Sequence, residues 1–299
     1  AEIMFKRRPE NKTMVIQGTV FSLVCEAESD PPLNINYKWL FYGKELQSSG
    51  INHNWDLSTH TLTVFNAQAR ASGIYTCIAY SPTSQKSSSA TVIVRALPDP
   101  PEDLTLNGTC TDRTARLTWI IPYRNVYEPL TRILIQWSVL GDTSTWYNFT
   151  DHVAGSENGH VVKELNPYSD IVFRVIAANE VGMGKPSNAT TKECKTPAAI
   201  PTVCATNIQG NSTRPHNINV TWQDVKPVNH NGPGFGYKVN YRPQGSVMWY
   251  TTTILYGNRP QLLIQNTSAN QIWDVQVQSY NNEGNGSRCP IAKAQSGNE

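Results

Sequence analysis

The chain has 299 residues, 39% hydrophobic and 9% aromatic, which is enough to give each of two or three ordinary domains its own core. A formal net charge of +2 with interspersed signs argues against nucleic acid as a partner. We interpret the one basic run, Lys6 to Arg8, as solvated surface rather than a heparin or acidic-lipid contact. No stretch approaches the roughly 20 apolar residues of a membrane span, so we expect any anchor to lie outside this sequence.

The six cysteines fall two by two into three successive stretches of the chain: Cys25 with Cys77, Cys110 with Cys194, and Cys204 with Cys289. This pattern is typical of secreted or cell-surface proteins, because a reducing cytosol keeps thiols free. Asn-x-Ser/Thr triplets without an intervening proline agree with that compartment. The candidate N-glycosylation sites are Asn11, Asn107, Asn148, Asn188, Asn211, Asn219, Asn266 and Asn285.

Apolar and polar residues alternate along the chain in short runs, as in Ile218, Val220 and Trp222. Gly, Pro, Asn and Ser separate these runs, and no long segment has helical periodicity. We therefore predict an all-β chain of three tandem immunoglobulin-like β-sandwiches in an elongated arrangement. Prolines in LPDPPEDL and KTPAAIPT place the boundaries, giving module one (1–97), module two (98–197) and module three (198–299).

Module one carries the signature of an immunoglobulin domain. Trp39 follows Cys25 by fourteen residues, and Tyr75 precedes Cys77 by two. In such a domain the cysteines bridge the two sheets, the Trp packs on the bridge and the Tyr hydroxyl secures the corner before strand F. Ala71 stands where an acidic residue is often found, so we expect no salt bridge there.

Modules two and three have no cysteine in strand F and resemble fibronectin type III domains. ARLTWIIP supplies Trp119 as the strand B tryptophan of module two, and NVTW supplies Trp222 in module three. The corner tyrosine of that family is replaced by Ile171 and Trp273. These corners must then be held by packing, or by the indole N–H of Trp273.

The remaining four cysteines are placed by strand direction. Cys110 and Cys194 come late in strands A and G of module two, whereas Cys204 and Cys289 come early in strands A and G of module three. All four therefore converge on the junction between the two modules. We expect pairing within each module, and a bridge across the junction, such as Cys194 with Cys204, is the alternative.

Catalytic and metal-binding patterns are missing from the sequence, so we predict a protein that is not an enzyme and needs no cofactor. GPGFG at Gly232 to Gly236 leads into a strand, so it has no helix N-terminus for a phosphate. The histidines show no metal-ligand spacing and are best explained as surface or loop residues. They are His53, His60, His152, His160, His216 and His230.

Module three resembles the second fibronectin domain of the neuroglian and neurofascin family of neural cell-adhesion molecules. The resemblance lies in NHNGPGFGYKVNYRPQG, VQVQSYNNEGNG and the closing QSGNE, and the Cys110 and Cys194 pair is similar to the neuroglian branch. It implies the last immunoglobulin domain and first two fibronectin domains of a single-pass protein with an ankyrin-binding tail. It further implies neuronal adhesion, axon guidance and neurite or dendrite patterning.

The same resemblance implies that homophilic contacts lie in outer immunoglobulin domains, leaving this segment as a rod-like spacer and heterophilic docking surface on the extracellular side. The alternatives are the ectodomain of a signalling receptor (receptor phosphatase, contactin-like or cytokine-type) and a module of a cytosolic muscle protein. No WSxWS box supports the cytokine type. Aromatic residues that could mark a contact patch, although structural filling is the simpler explanation, are Trp55, Trp146, Tyr147, Trp249 and Tyr250.

Overall fold

The computed structural model describes residues 1–48, 50, 52–212 and 214–298. The predicted fold class is confirmed, because these residues form an all-β chain of successive sandwiches in which each sheet draws its strands from one of the three stretches. The boundaries near 97 and 198 remain our proposed division of the chain.

Module one packs two main sheets around the Cys25–Cys77 bridge and Trp39. Its strands are β1 (Glu2–Arg7), β2 (Lys12–Ile16), β3 (Phe21–Val24), β4 (Glu26–Asp30), β5 (Asn36–Phe41), β6 (Lys44–Glu45), β7 (His53–Asp56), β8 (Thr61–Val64), β9 (Gly73–Tyr80) and β10 (Gln85–Arg95). One sheet has the order β2-β10-β9-β5-β6 and faces the sheet β3-β8-β7, while β1 and β4 form a separate ribbon. A 3-10 turn, Ala69–Ala71, precedes β9.

Module two has a sheet of order β11-β12-β16 facing a sheet in which β13 pairs with β14, β15 and β17. The strands are β11 (Glu102–Asn107), β12 (Ala115–Ile120), β13 (Arg132–Val139), β14 (Asp142–Asn148), β15 (Val153–Ala154), β16 (Gly159–Val162) and β17 (Ile171–Ala178). Beside β17 the chain continues without regular strand pairing. There the hydroxyls of Ser187 and Thr190 accept the amides of Val175 and Phe173, each at 3.0 Å.

Module three repeats this arrangement, with β18-β19-β22 facing β21-β20-β23-β24, and β25 pairing with β23. Its strands are β18 (Thr206–Asn211), β19 (Asn217–Gln223), β20 (Gly236–Pro243), β21 (Tyr250–Leu255), β22 (Gln261–Gln265), β23 (Ile272–Asn281), β24 (Gly284–Asn285) and β25 (Ala292–Gln295). A 3-10 turn, Pro227–Asn229, lies between β19 and β20. Alternation places Ile218, Val220 and Trp222 in the core.

Strand β23 departs from simple alternation, because residues on its polar face are buried as well. Asp274 and Gln276 are only 4% and 6% exposed. Asp274 contacts Lys293 and Arg242, and the Gln276 side-chain amide donates to the Cys289 carbonyl. The residues in and just before β25 therefore cover this face, and together with Arg242 they supply its polar partners.

Candidate interaction surfaces and inter-module joints

The six cysteines form three bridges within modules. Cys25 pairs with Cys77, Cys110 with Cys194 and Cys204 with Cys289, with Cα–Cα distances of 6.4, 5.3 and 5.9 Å. Each bridge ties residues distant in sequence, which restricts the unfolded chain. Within the described part of the chain, all cysteines are paired and no bridge crosses a junction.

The corners before β9, β17 and β23 are held in three different ways. The Tyr75 hydroxyl donates to the Ala71 carbonyl at 2.8 Å. Ile171 is fully buried, and its amide donates to the Cys194 carbonyl at 2.8 Å. The Trp273 indole N–H donates to the Gln271 side chain at 3.1 Å, and the same oxygen accepts the Ser268 amide at 3.2 Å. The indole N–H is thus linked to the corner before β23 through the Gln271 side chain. The strand B tryptophans, Trp119 and Trp222, are buried, as is Trp39.

The first joint, between modules one and two, is built from polar and aromatic side chains. Arg95 Nε lies 2.9 Å from Glu128 Oε1, and Glu128 is only 7% exposed. The Arg70 guanidinium lies over the Tyr123 ring, 4.7 Å from its centroid. Because Glu128 is desolvated, losing Arg95 would leave a buried charge without its partner. The loop between β12 and β13 is therefore the part of module two that contacts Arg95 and Arg70 of module one.

Tyr42 of module one also contributes to this joint. Its hydroxyl donates to the Ser72 carbonyl at 3.1 Å. Burial first, and then a hydrogen bond with Tyr127, raise the pKa of Tyr42 to about 12. The residue has φ of 48°, a left-handed conformation that is uncommon for a tyrosine. No motif marks Tyr123, Tyr127 or Glu128 as joint residues, and the one signal in the sequence is their concentration in a single loop, YRNVYEP.

In modules two and three, a loop of the same pattern, Asn-x-x-Gly-x-Gly, contacts the linker that precedes the module. In module two the Asn179 side-chain amide donates to the Ala96 carbonyl at 2.8 Å. In module three the Asn281 side-chain amide donates to the Ala199 carbonyl at 2.8 Å. The last glycines, Gly184 and Gly286, lie so close that an added Cβ would stand 2.3 Å from the Pro98 oxygen and 2.5 Å from the Pro201 oxygen.

The second joint, between modules two and three, combines a few hydrogen bonds with a cleft. The Asn166 side-chain amide donates to the Val228 carbonyl at 2.8 Å, and the Tyr168 amide donates to the Pro197 carbonyl at 2.9 Å. A polar cleft of about 520 Å³, which we call the joint cleft, lies between the modules and includes Trp137, Asn148 and Asn229 in its wall. Cys204 lines a smaller neighbouring pocket together with Tyr147.

His230, next to this joint, is part of a packed aromatic group rather than a free surface histidine. It stacks on Phe235 with 3.8 Å between centroids, and one ring nitrogen lies 2.9 Å from the Val225 carbonyl. Burial lowers the pKa of His230 below its usual value, opposed in part by the Val225 contact. The ring therefore contributes to the packed aromatic group beside this joint.

The five candidate contact aromatics are all engaged within their modules. Trp146 lies under the Arg174 guanidinium at 4.2 Å, and Trp249 lies under Arg242 at 4.3 Å. Trp55 packs edge-on to Trp39, Tyr147 stacks on Trp137, and Tyr250 lies beside Tyr241. Tyr250 is nevertheless 53% exposed, next to Val247 at 89% and Met248 at 69%. The hairpin loop before β21 is thus one exposed apolar surface of module three.

All eight candidate glycosylation asparagines are exposed: Asn11, Asn107, Asn148, Asn188, Asn211, Asn219, Asn266 and Asn285. Asn211 and Asn219 face each other across β18 and β19, so their side chains share the outer face of one sheet. Thr213, the third residue of the Asn211 triplet, lies outside the described residues.

The described residues show neither a group of metal ligands nor a membrane-spanning helix. Across 1–48, 50, 52–212 and 214–298, no three His, Cys, Asp or Glu side chains are grouped as metal ligands. The helical segments described there are single 3-10 turns, and none is long and apolar enough to cross a bilayer.

Two domain families match the sequence. Residues 3–94 match the immunoglobulin I-set domain, and residues 99–193 match the fibronectin type III domain. These matches agree with the tyrosine corner of module one and with the strand order of module two.

Contactins are similar to this chain over nearly its whole length. Human contactin-3 is 31% identical over 301 residues, and rat contactin-4 is 29% identical over 306 residues; each comparison covers 97% of this chain and 29% of the relative. The chain therefore spans less than a third of the length of these relatives. The solved structure of chicken CNTN1 FN1–FN3 domains is 24% identical, covers 67% of each chain and has a TM-score of 0.48.

Proposed function

We propose that this immunoglobulin-superfamily chain is an extracellular segment of a neural cell-adhesion protein. The observation that carries the proposal is the similarity to contactins across 97% of the chain, including the passage from an immunoglobulin domain into fibronectin-type modules. Three disulfides and N-glycosylation triplets with exposed asparagines are typical of a protein that folds in the secretory pathway. The matched domain families and relatives indicate a non-enzymatic protein.

Within that protein we propose that the segment acts as a rod-like spacer. The first joint is fixed by the Arg95–Glu128 pair, and both linkers are gripped by the side-chain amides of Asn179 and Asn281. Contacts of this kind oppose free rotation between neighbouring modules. The segment would then hold outer domains at a set distance from the cell.

We further propose that protein partners dock on the modules while homophilic contacts are made by domains outside this segment. The exposed loop of Val247 and Met248 offers apolar surface of the kind found at protein interfaces. Location on the extracellular side of a neuronal plasma membrane, a single membrane span, and roles in axon guidance and neurite or dendrite patterning belong to the same proposal.

The branch of the adhesion proteins is a separate question. Motifs of module three resemble the neuroglian branch, whereas contactins are similar to the chain over nearly its whole length. These relatives favour the alternative of a contactin-like receptor or coreceptor. We therefore retain a contactin-like coreceptor as the second candidate, and the neuroglian assignment stays a prediction.

A cell-aggregation assay tests the proposed function. Full-length protein displayed on non-adherent cells is expected to cause aggregation, whereas residues 1–299 displayed on the same anchor are expected to cause none. A full-length variant with this segment replaced by a flexible linker of equal residue number controls for length. Failure of full-length protein to reach the cell surface, or six unpaired thiols by intact mass after thiol blocking, would contradict the proposal.

A further inference from the structure

The three disulfide bridges, all within the described residues, differ in their exposure. The cysteines of the first two bridges are at most 1% exposed, and Cys289 of the third is 4% exposed. Cys204 is partly exposed and lies in the wall of the pocket of about 280 Å³ that neighbours the joint cleft. Exposed bridges are the ones that exchange with external thiols, because the attacking sulfur has to reach one of the two bonded sulfurs. In the folded chain the Cys204–Cys289 bridge is therefore the one most open to such attack.

This bridge also lies outside the core of its module. The other two bridges are part of the core clusters of modules one and two, so a thiol reaches them only when the module opens. The core of module three packs around Trp222, Tyr237 and Val277, and its described members include neither Cys204 nor Cys289. Cleavage of this bridge therefore leaves the packed core in place.

The bridge joins two segments that lie outside the strands. Cys204 belongs to the linker that enters module three before β18, and Cys289 lies between β24 and β25. Beside the bridge, the linker is held by single hydrogen bonds, such as the one that the Ser279 hydroxyl donates to the Val203 carbonyl at 3.0 Å. A covalent bond restricts such a segment more than these contacts do. Loss of the bridge therefore gives the linker at the second joint more freedom.

We propose that the Cys204–Cys289 bridge is a site of thiol–disulfide exchange with an extracellular dithiol protein, and that its reduction loosens the second joint. A thiolate of the dithiol attacks Sγ of Cys204, the bond to Cys289 breaks, and Cys289 leaves as a thiolate that takes up a proton. The second thiol of the dithiol loses its proton and attacks the first sulfur of the dithiol, releasing Cys204 as a thiolate that is protonated in turn. Two electrons pass to the bridge, and the dithiol becomes a disulfide. The proposal rests on the proposed function only in requiring an oxidised, extracellular chain.

The test uses the whole oxidised chain from a eukaryotic secretory host. It is incubated with dithiothreitol in native buffer, and free thiols are trapped at intervals with an alkylating reagent and assigned by peptide mass spectrometry. We expect Cys204 and Cys289 to be alkylated at least about a hundredfold faster than the other four cysteines. The Cys110–Cys194 bridge is the matched control, because it spans 84 residues and the Cys204–Cys289 bridge spans 85.

A second experiment identifies the sulfur that is attacked. Thioredoxin with its resolving cysteine replaced by serine cannot complete the exchange, so it stays bound to the chain as a mixed disulfide. We expect this mixed disulfide to form at Cys204.

The effect on the joint is measured by hydrogen exchange. The Ala199 amide, in the linker ahead of Cys204, donates to the Asn231 carbonyl at 2.8 Å. After selective reduction, and in the double variant Cys204→Ser with Cys289→Ser, we expect this amide to exchange about tenfold faster. The amides of β23 should exchange as before. Reduced wild type gives the result where the double variant does not fold.

Several results would overturn the proposal. They are equal or earlier alkylation of the Cys110–Cys194 bridge, a mixed disulfide at Cys289, and unchanged exchange at Ala199 after reduction. Loss of protection across β23 on reduction would do so too, because the bridge would then be needed to keep module three folded. A chain secreted with all six thiols free would instead count against the proposed function.

Discussion

The Tyr75 hydroxyl makes one hydrogen bond, and its removal tests the corner of module one. Tyr75→Phe deletes its hydrogen bond to the Ala71 carbonyl, while the ring keeps its contacts with Phe21 and Phe41. We expect a loss of about 1 kcal/mol, or about 4–8 °C in the midpoint of module one, measured by calorimetry. Tyr80→Phe, at an exposed position, is the control; equal losses from both variants would argue against the corner bond.

Asp274 tests the buried charge cluster of module three. Its carboxylate is paired with Lys293 and Arg242, and the Lys293 contact is the main cause that holds its pKa below the usual value. We expect Asp274→Asn to lower the free energy of unfolding by about 2 kcal/mol at pH 7, measured by denaturant titration. Glu193→Gln, in the exposed pair with Lys195, is expected to cost under about 0.5 kcal/mol.

The pH dependence of this effect has a definite sign. Because the folded pKa of Asp274 lies below the unfolded value of about 3.9, its stabilisation is complete above that pH. It is lost as pH falls through the folded pKa, so the stabilities of wild type and Asp274→Asn should converge in strong acid. A constant difference between them down to the lowest pH would contradict this account.

Tyr75 and Asp274 show which features of the structure could be predicted from the sequence and which could not. The offset of Tyr75 from Cys77 predicted its role, because the corner depends on local spacing. Asp274 follows a strict alternation that predicts solvent exposure, yet it is buried by β25, which lies almost twenty residues away along the chain. Local periodicity carries no information about burial by a strand that is distant in the sequence.

At the scale of elements, Glu128 tests the first joint. Glu128→Gln removes the charge that faces Arg95, leaving a weaker neutral acceptor in a nearly dry site. We expect about tenfold faster hydrogen exchange at the Gln17 and Val94 amides, which donate to the Arg95 carbonyl and the Ser72 hydroxyl, a loss of about 1.4 kcal/mol in local stability.

The exposed pair of Lys86 and Glu2 provides the control, since Glu2→Gln should leave exchange at these amides unchanged. In a double-mutant cycle, Arg95→Gln should add little once Glu128 is replaced. Full additivity of the two changes would show that the ion pair does not act as a unit.

The close approach of the Asn-x-x-Gly-x-Gly loops to their linkers can also be tested at the scale of elements. Gly286→Ala places a methyl group against the Pro201 carbonyl, a backbone atom that no side-chain rotation can move. We expect module three to lose about 1–3 kcal/mol, measured by thermal unfolding, with faster exchange in the linker before it. Ser287→Thr, at the exposed neighbouring position, keeps the Asn285 triplet and should have no such effect; a normal linker in Gly286→Ala would refute the close approach.

Strand positions were largely predictable and joint contacts were not. Alternating runs such as Ile218 to Trp222 determine their own burial, and turn residues punctuate them. The sequence drew attention to the second joint because four cysteines belong to its flanking modules. The ion pair of Arg95 and Glu128 at the first joint depends on how two modules meet, which spacing within either module does not encode.

For the whole molecule we expect an extended particle in solution. A compact globule of 299 residues would have a radius of gyration of about 19 Å. Small-angle scattering should give a clearly larger value and a pair-distance distribution with a long tail. Glu128→Gln should broaden that tail by loosening the first joint, whereas Glu2→Gln should not. A radius near the globular value would indicate that the modules fold back on one another.

The grip of each fibronectin-type module on the linker before it determines how such a chain can be rearranged. Asn179 and Gly184 belong to module two but hold residues that leave module one, and Asn281 and Gly286 do the same for module three. A recombination event that moves a module with its upstream linker therefore keeps these linker contacts intact. A cut on the downstream side separates a linker from the loop that shapes it, so the unit of exchange begins with the linker.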